Sequence, residues 1–131
     1  MVLNDKIKNA RNLYDLALKE LEESKNNPKK LRDAAEKAWG ATASAVEALI
    51  EAKTGEKIIK GKNRSRRLIE LAEDRKIPDH IQARYFSRED TLHGDCFYNG
   101  ICEPRDRIER RIRETKDLID DIEKLIKKTL K

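Results

Sequence analysis

Two residue types that can act together on a phosphate ester stand close together in the chain. Arg88 and His93 are separated by four residues. An imidazole can move protons near neutral pH, and a guanidinium can stabilise the negative charge that develops on a phosphate. The pair therefore suits metal-independent cleavage of RNA. The spacing alone also fits a packed or ion-paired histidine.

Three further ionisable residues are predicted to support this pair. Glu89 precedes His93 by four residues and could orient its ring, Arg84 lies one turn before Arg88, and Asp95 lies seven residues after Arg88 on the same face. On an ideal α-helix, Arg88 and His93 point about 140° apart. A shared site therefore needs a local bend, a long reach of the arginine, or a second subunit.

A basic segment at 57–67 carries six cations and no acid, which is enough to account for the net charge of +5. Such a concentration of charge attracts phosphates over roughly a Debye length. The segment is predicted either to contact RNA or to be a solvated connector. The six residues are Lys57, Lys60, Lys62, Arg64, Arg66 and Arg67.

Arginine is concentrated in the middle of the chain. Residues 64–113 contain eleven Arg and one Lys, with ten acids. Arginine binds carboxylate or phosphate through a planar fork, which lysine lacks. One interpretation is a network of Arg–carboxylate pairs. The other is anion binding, favoured by five arginines in the first two turns of the last helix, where cations oppose the helix dipole.

Apolar residues recur at three- and four-residue spacing along the chain, which predicts helices. The predicted helices cover about 4–26, 30–53, 65–76, 79–98 and 104 to the C-terminus. The fold class is all-α, an up-and-down bundle of four long helices plus one short helix, forming a single domain over 1–131. The second helix is rich in alanine, so a neighbouring helix can approach it closely.

Composition excludes several classes of protein. The start of the chain has no signal-peptide core and no apolar run could span a bilayer, so a cytoplasmic location is predicted. Abundant Lys, Arg and Glu suit a thermophilic source. Cys96 and Cys102 are expected to be reduced, although a local disulfide would suit a hyperthermophile. Neither a phosphate loop nor metal-ligand spacing is present, so no cofactor and no metal is predicted.

Two segments resemble a known family. Residues 92–98, Leu-His-Gly-Asp-Cys-Phe-Tyr, resemble the Leu-His-x-Asn-Phe-Tyr-Glu signature of the archaeal PaREP1 family. Residues 34–41, Ala-Ala-Glu-Lys-Ala-Trp-Gly-Ala, resemble its second helix. The chain departs from the signature at Asp95, where the family has Asn, and at Asn99, where it has Glu.

That family resembles the HEPN superfamily of small, commonly dimeric helical bundles, many of which are metal-independent ribonucleases. Their motif, Arg followed after four to six residues by His, matches Arg88 and His93. The resemblance implies that these two residues are catalytic, that the chain is a homodimer with the site at the interface, and that RNA is the substrate.

Two alternatives remain open at this stage. One is a non-catalytic interaction module that pairs with itself or another protein through the alanine-rich face of the second helix. The other is a nucleotide-binding partner of a nucleotidyltransferase, since some HEPN-like bundles have lost catalysis.

Overall fold

Helices make up all of the regular structure in the described part of the chain. The computed structural model describes the backbone of residues 2–129 and the side chains of residues 5–129. Within these limits no strand is present, and no helix is both long and apolar enough to cross a lipid bilayer. The helices are α1 (Val2–Glu23), α2 (Lys29–Thr54), α3 (Arg64–Glu73), α4 (Asp79–Arg88), a π-helical segment (Glu89–Tyr98) that directly continues α4, and α5 (Arg105–Thr129).

The second helix lies at the centre of the molecule. Its alanines, including Ala38, Ala45 and Ala48, are fully buried. Because alanine has only a methyl group, α1 and α5 can pack closely on α2, and α3, α4 and the π-helical segment also contact it. The alanine-rich face is thus covered within one chain. The expectation that this face pairs with another protein is therefore wrong.

The predicted helix positions are confirmed, with shifts of a few residues at their ends. Gly55 ends α2 with φ of 77°, a left-handed conformation that glycine adopts without strain. The described part of α1 begins at Val2 and ends at Glu23, before the predicted stop at Asn26. The last helix, α5, buries Ile108, Ile112 and neighbouring aliphatic residues against α1 and α2.

The predicted fourth helix changes its winding halfway. From Glu89 to Tyr98 it is a π-helix, in which each N–H bonds to the carbonyl five residues earlier. The 140° angle expected between Arg88 and His93 assumed an α-helix and does not apply to this segment. The π-helical segment packs on α2 and also contacts α5. It therefore carries side chains toward two different helices.

A disulfide joins Cys96 to Cys102, so the expectation of two reduced thiols is wrong. Gly100, with φ of 72°, turns the chain back after the π-helical segment. This turn brings the two Cα atoms to 4.4 Å from each other. Cys96 is fully buried, so the bond ties the end of the π-helical segment and the following loop to the core.

We expect this disulfide to stabilise the fold. It closes a loop with a sequence separation of six residues, for which restriction of the unfolded chain is worth about 2 kcal/mol. Cys102→Ser should lower the free energy of unfolding by that amount in urea denaturation without reductant. Wild type with reductant should behave like the variant. Equal stability of oxidised and reduced wild type would contradict the assignment.

Candidate functional site

Arg88 is buried against α5. Its side chain is 4% exposed, and its Nη1 donates hydrogen bonds to the backbone oxygen of Arg111 at 2.7 Å and to Oγ1 of Thr115 at 3.0 Å. A charged side chain is seldom so deeply buried without a carboxylate partner. Here no carboxylate lies within ion-pair distance among the described residues.

Arg88 also borders an open cleft. Nε and Nη2 make no hydrogen bond to any described residue, and Arg88 lines a cleft of about 420 Å³ between α4 and α5. The other charged residues that line it are Arg84, Arg111, Glu114 and Asp117. The lining thus contains three guanidinium groups and two carboxylates.

The two neighbouring arginines are each held by a carboxylate. Nη1 of Arg84 lies 2.8 Å from Asp121, and Nη1 of Arg111 lies 2.8 Å from Glu114. The Nε of Arg111 is buried and has no hydrogen-bond partner within the described residues. A buried N–H without a partner is costly, so Arg111 carries one unsatisfied donor at this side of the cleft.

Burial also changes the acidity of Arg88. Loss of solvent lowers the pKa of its guanidinium to about 10; Glu114 and Asp117 raise it, and the positive charges of Arg84 and Arg111 lower it. Arg88 therefore remains protonated at neutral pH. Because it has no ion pair within residues 5–129, a bound anion would stabilise its charge.

His93 faces α2. Its Nδ1 lies 2.8 Å from Oε1 of Glu36, and its ring lies beside Trp39 and Phe97, with centroid distances of 5.9 and 6.2 Å. A carboxylate can only accept, so Nδ1 carries the proton and Nε2 of the neutral ring is an acceptor. Nε2 has no partner among the described residues, and the side chain is 36% exposed. Glu36 therefore fixes the orientation of the ring and leaves Nε2 without a partner in residues 5–129.

The three predicted supporting residues have different outcomes. Arg84 shares the cleft with Arg88. Glu89 was expected to orient His93, but the ring turns to α2, where Glu36 holds it, so that prediction is wrong. Asp95 is partly exposed, and its backbone oxygen accepts a hydrogen bond from the N–H of Ile101 at 2.7 Å.

Within one chain, Arg88 and His93 serve two separate surfaces. Arg88 contacts α5 and lines the cleft between α4 and α5, whereas His93 contacts α2. The π-helical segment lies between them and packs on both helices. Each surface holds one chemical component of the predicted site, and the described chain contains no contact between the two side chains.

Two arginines of the basic segment at 57–67 are held by ion pairs within the protein, which the sequence did not indicate. Arg64 turns inward, with Nη1 2.7 Å from Glu47, Nε 3.0 Å from the hydroxyl of Tyr85 and its guanidinium over the ring of Trp39. Arg67 pairs with Glu56 at 2.8 Å. Within this segment, the exposed cations that make no ion pair with residues 5–129 are Lys57, Lys60, Lys62 and Arg66.

The arginines at the start of α5 make two kinds of contact, of which one is the predicted pairing with carboxylates. Arg111 and Arg113 pair with acids on α5 itself, as a carboxylate network predicts. In contrast, Nη2 of Arg105 donates to Oγ of Ser24 at 2.7 Å, and Arg107 approaches Thr91 at 3.4 Å. These two cations therefore fasten the start of α5 to the end of α1 and to the π-helical segment.

Sequence reasoning missed the partner of His93. Glu36 stands three residues before Trp39, so at helical spacing it borders the buried face of α2. An acid beside that face was the available signal. Arg32 was also missed: it donates to the backbone oxygen of Phe97 at 3.0 Å and fixes the end of the π-helical segment.

Comparison with known proteins yields one match. No curated protein and no solved structure matches the chain. A family model, described as the archaeal PaREP1/PaREP8 family, matches residues 12–131, which include α2, the π-helical segment and both surfaces described above. The chain therefore belongs to the archaeal PaREP1/PaREP8 family.

Proposed function

We propose that this protein binds RNA and cleaves it without a metal ion, at a site that two copies of the chain complete together. The observation that carries the proposal is the presence of two prepared but separate half-sites in each chain. One is the uncompensated guanidinium of Arg88 in an open cleft, and the other is the Glu36–His93 pair with Nε2 unpartnered.

The cleft around Arg88 suits a phosphodiester. A phosphate needs several N–H donors in a fork and a positive surrounding. Arg88 offers its unpaired Nε and Nη2, and Arg84 and Arg111 line the same cleft. Because Nη1 of Arg88 is already fixed to α5, the fork loses little side-chain freedom when an anion binds.

The Glu36–His93 pair suits the proton transfer. Neutral His93 accepts the proton of an RNA 2′-hydroxyl at Nε2 while the 2′-oxygen bonds to the phosphorus. The bond from phosphorus to the 5′-oxygen breaks, and the imidazolium returns the proton to that oxygen. The products are a 2′,3′-cyclic phosphate and a 5′-hydroxyl. Glu36 holds the ring and stabilises the imidazolium, while Arg88 stabilises the charge on the phosphorus oxygens.

A second copy is the simplest way to unite the half-sites. A twofold axis beside the π-helical segment places the Arg88 surface of one chain against the His93 surface of the other. In a symmetric dimer, each contact from the first chain to the second is repeated from the second to the first. The same operation forms two equal sites. The resemblance to HEPN-like dimers supports this arrangement.

A non-catalytic module is the second candidate. The hydrogen bonds from Arg88 to the Arg111 backbone and Thr115 would also suit a guanidinium that only fastens α4 to α5. In that case Arg88 contributes to stability and the cleft has no ligand. The two candidates differ in what removal of Arg88 does to the fold and to RNA binding.

Arg88→Met should separate binding from stability. Methionine fills much of the same volume and removes a buried charge, so the free energy of unfolding should change by no more than about 1 kcal/mol. Affinity for single-stranded RNA should fall at least about tenfold. Arg11→Met, which removes one cation from α1, is the control and should bind normally. Lost stability with unchanged RNA affinity would favour the non-catalytic module.

His93→Ala should abolish cleavage of single-stranded RNA and leave binding nearly unchanged, as measured by gel analysis and fluorescence anisotropy. Glu36→Gln should slow cleavage at least about tenfold, since the amide cannot stabilise the imidazolium by charge. Glu89→Gln is the matched control, because Glu89 does not contact the ring, and its rate should equal wild type. Cleavage by His93→Ala at the wild-type rate would remove His93 from the mechanism.

A further inference from the structure

A second cleft lies where the α1–α2 turn meets the loop before α5. Its volume is about 440 Å³, and four cations line it with one acid, Glu103. The cations are Lys25, Lys29, Arg32 and Arg105. A groove with this excess of positive charge is suited to a phosphate backbone.

The two cations of α2 in this cleft are not neutralised by carboxylates. Lys29 is exposed and makes no ion pair within residues 5–129. Arg32 is exposed, and its hydrogen bonds go to the backbone oxygens of Phe97 and Tyr98, at 3.0 Å from Nε and 3.4 Å from Nη2 respectively. Their positive charge therefore remains available to a ligand.

An exposed aromatic residue, Tyr98, is joined to this cleft through Arg32, whose Nη2 donates to the Tyr98 backbone oxygen at 3.4 Å. Tyr98 is 74% exposed, which is the highest value among the large hydrophobic residues that the structure describes. Its hydroxyl has no partner in residues 5–129. Its backbone is fixed by Arg32 and, two residues away, by the disulfide of Cys96. Its ring lies 6.1 Å from that of His93 at an interplanar angle of 61°, and its high exposure leaves most of the side chain accessible to a ligand.

We propose that Tyr98 and this cleft form a subsite for unpaired nucleotides, with one base stacked on Tyr98 and the adjoining phosphates held by Lys29 and Arg32. The proposal rests on the proposed function and deepens it by naming the residues that hold the strand beside His93. Cationic grooves with exposed aromatic rings are the usual device for binding single strands, because every base has a stacking face.

The subsite adjoins the proton-transferring pair. Arg32 and Glu36 are four residues apart on α2, which is a rise of about 6 Å. The ring of His93 contacts both Glu36 and the ring of Tyr98. A strand with one base on Tyr98 therefore has its neighbouring 2′-hydroxyl near His93. The exposed lysines of 57–62 lie beyond the other end of α2, a helix of 26 residues that is about 39 Å long.

Binding of a 2′-O-methylated uridine strand of about 12 nucleotides tests the subsite. Such a strand lacks the nucleophile and stays intact. Tyr98→Ala should weaken its binding about tenfold, as expected for loss of one stacked base, whereas Tyr98→Phe should bind like wild type. Lys29→Glu should weaken binding and lower its salt dependence. Ile59→Ala, an exposed apolar control at the other end of α2, should have no effect.

Two comparisons make the result decisive. For a strand with abasic positions, Tyr98→Ala should bind almost as tightly as wild type, because no base remains to stack. Equal losses for intact and abasic strands, or no loss at all, would overturn the subsite. A change in molar mass of Tyr98→Ala by light scattering would also overturn it, since Tyr98 would then be a contact between copies.

The experiment separates this subsite from the proposed function. Binding that depends on Arg88 but not on Tyr98 removes the subsite and leaves the proposed function intact. Binding that depends on Tyr98 but not on Arg88, with no cleavage by wild type, supports the subsite and overturns the proposed nuclease.

Discussion

The burial of one guanidinium against a backbone carbonyl of α5 is the interaction on which the rest of the account depends. Arg88 is anchored through Nη1 alone, and its charge meets no carboxylate at ion-pair distance in residues 5–129. Desolvation lowers its pKa to about 10, while Glu114 and Asp117 raise it, so the guanidinium stays charged at neutral pH. A fold that needed only a link between α4 and α5 could use apolar packing at less cost. A buried charge without an ion pair in residues 5–129 agrees with the anionic ligand that we propose.

The π-helical winding of the chain after Arg88 determines where His93, the second residue of the predicted pair, lies. The π-helical segment occupies the space between α2 and α5 and packs on both. It is held at its end by Arg32 and by the disulfide of Cys96. π-helical turns are rare in proteins and are often found at functional sites. Here the segment carries His93 to Glu36 on α2, while Arg88, the last residue of α4, stays in contact with α5. The two side chains of the proposed site are therefore separated within one chain.

The helices could be predicted from the sequence because their cause is local. Apolar spacing marks α1, α2 and α5, and Gly55 marks the end of α2. The pairings depend on tertiary structure and could not be read from spacing. Glu36 is 57 residues from His93 in the chain, so Glu89, the nearer acid, was preferred. Arg64 looked like a free cation but is drawn inward by Glu47 and the rings of Trp39 and Tyr85.

Mixing two inactive variants tests the central claim, that one site takes Arg88 from one chain and His93 from its partner. Arg88→Met and His93→Ala are each purified, combined in equal amounts and allowed to exchange subunits. Half of the dimers then contain one intact site of two, so cleavage should recover to about a quarter of the wild-type rate. No recovery, in mixtures that native mass spectrometry shows to contain mixed dimers, would contradict the account.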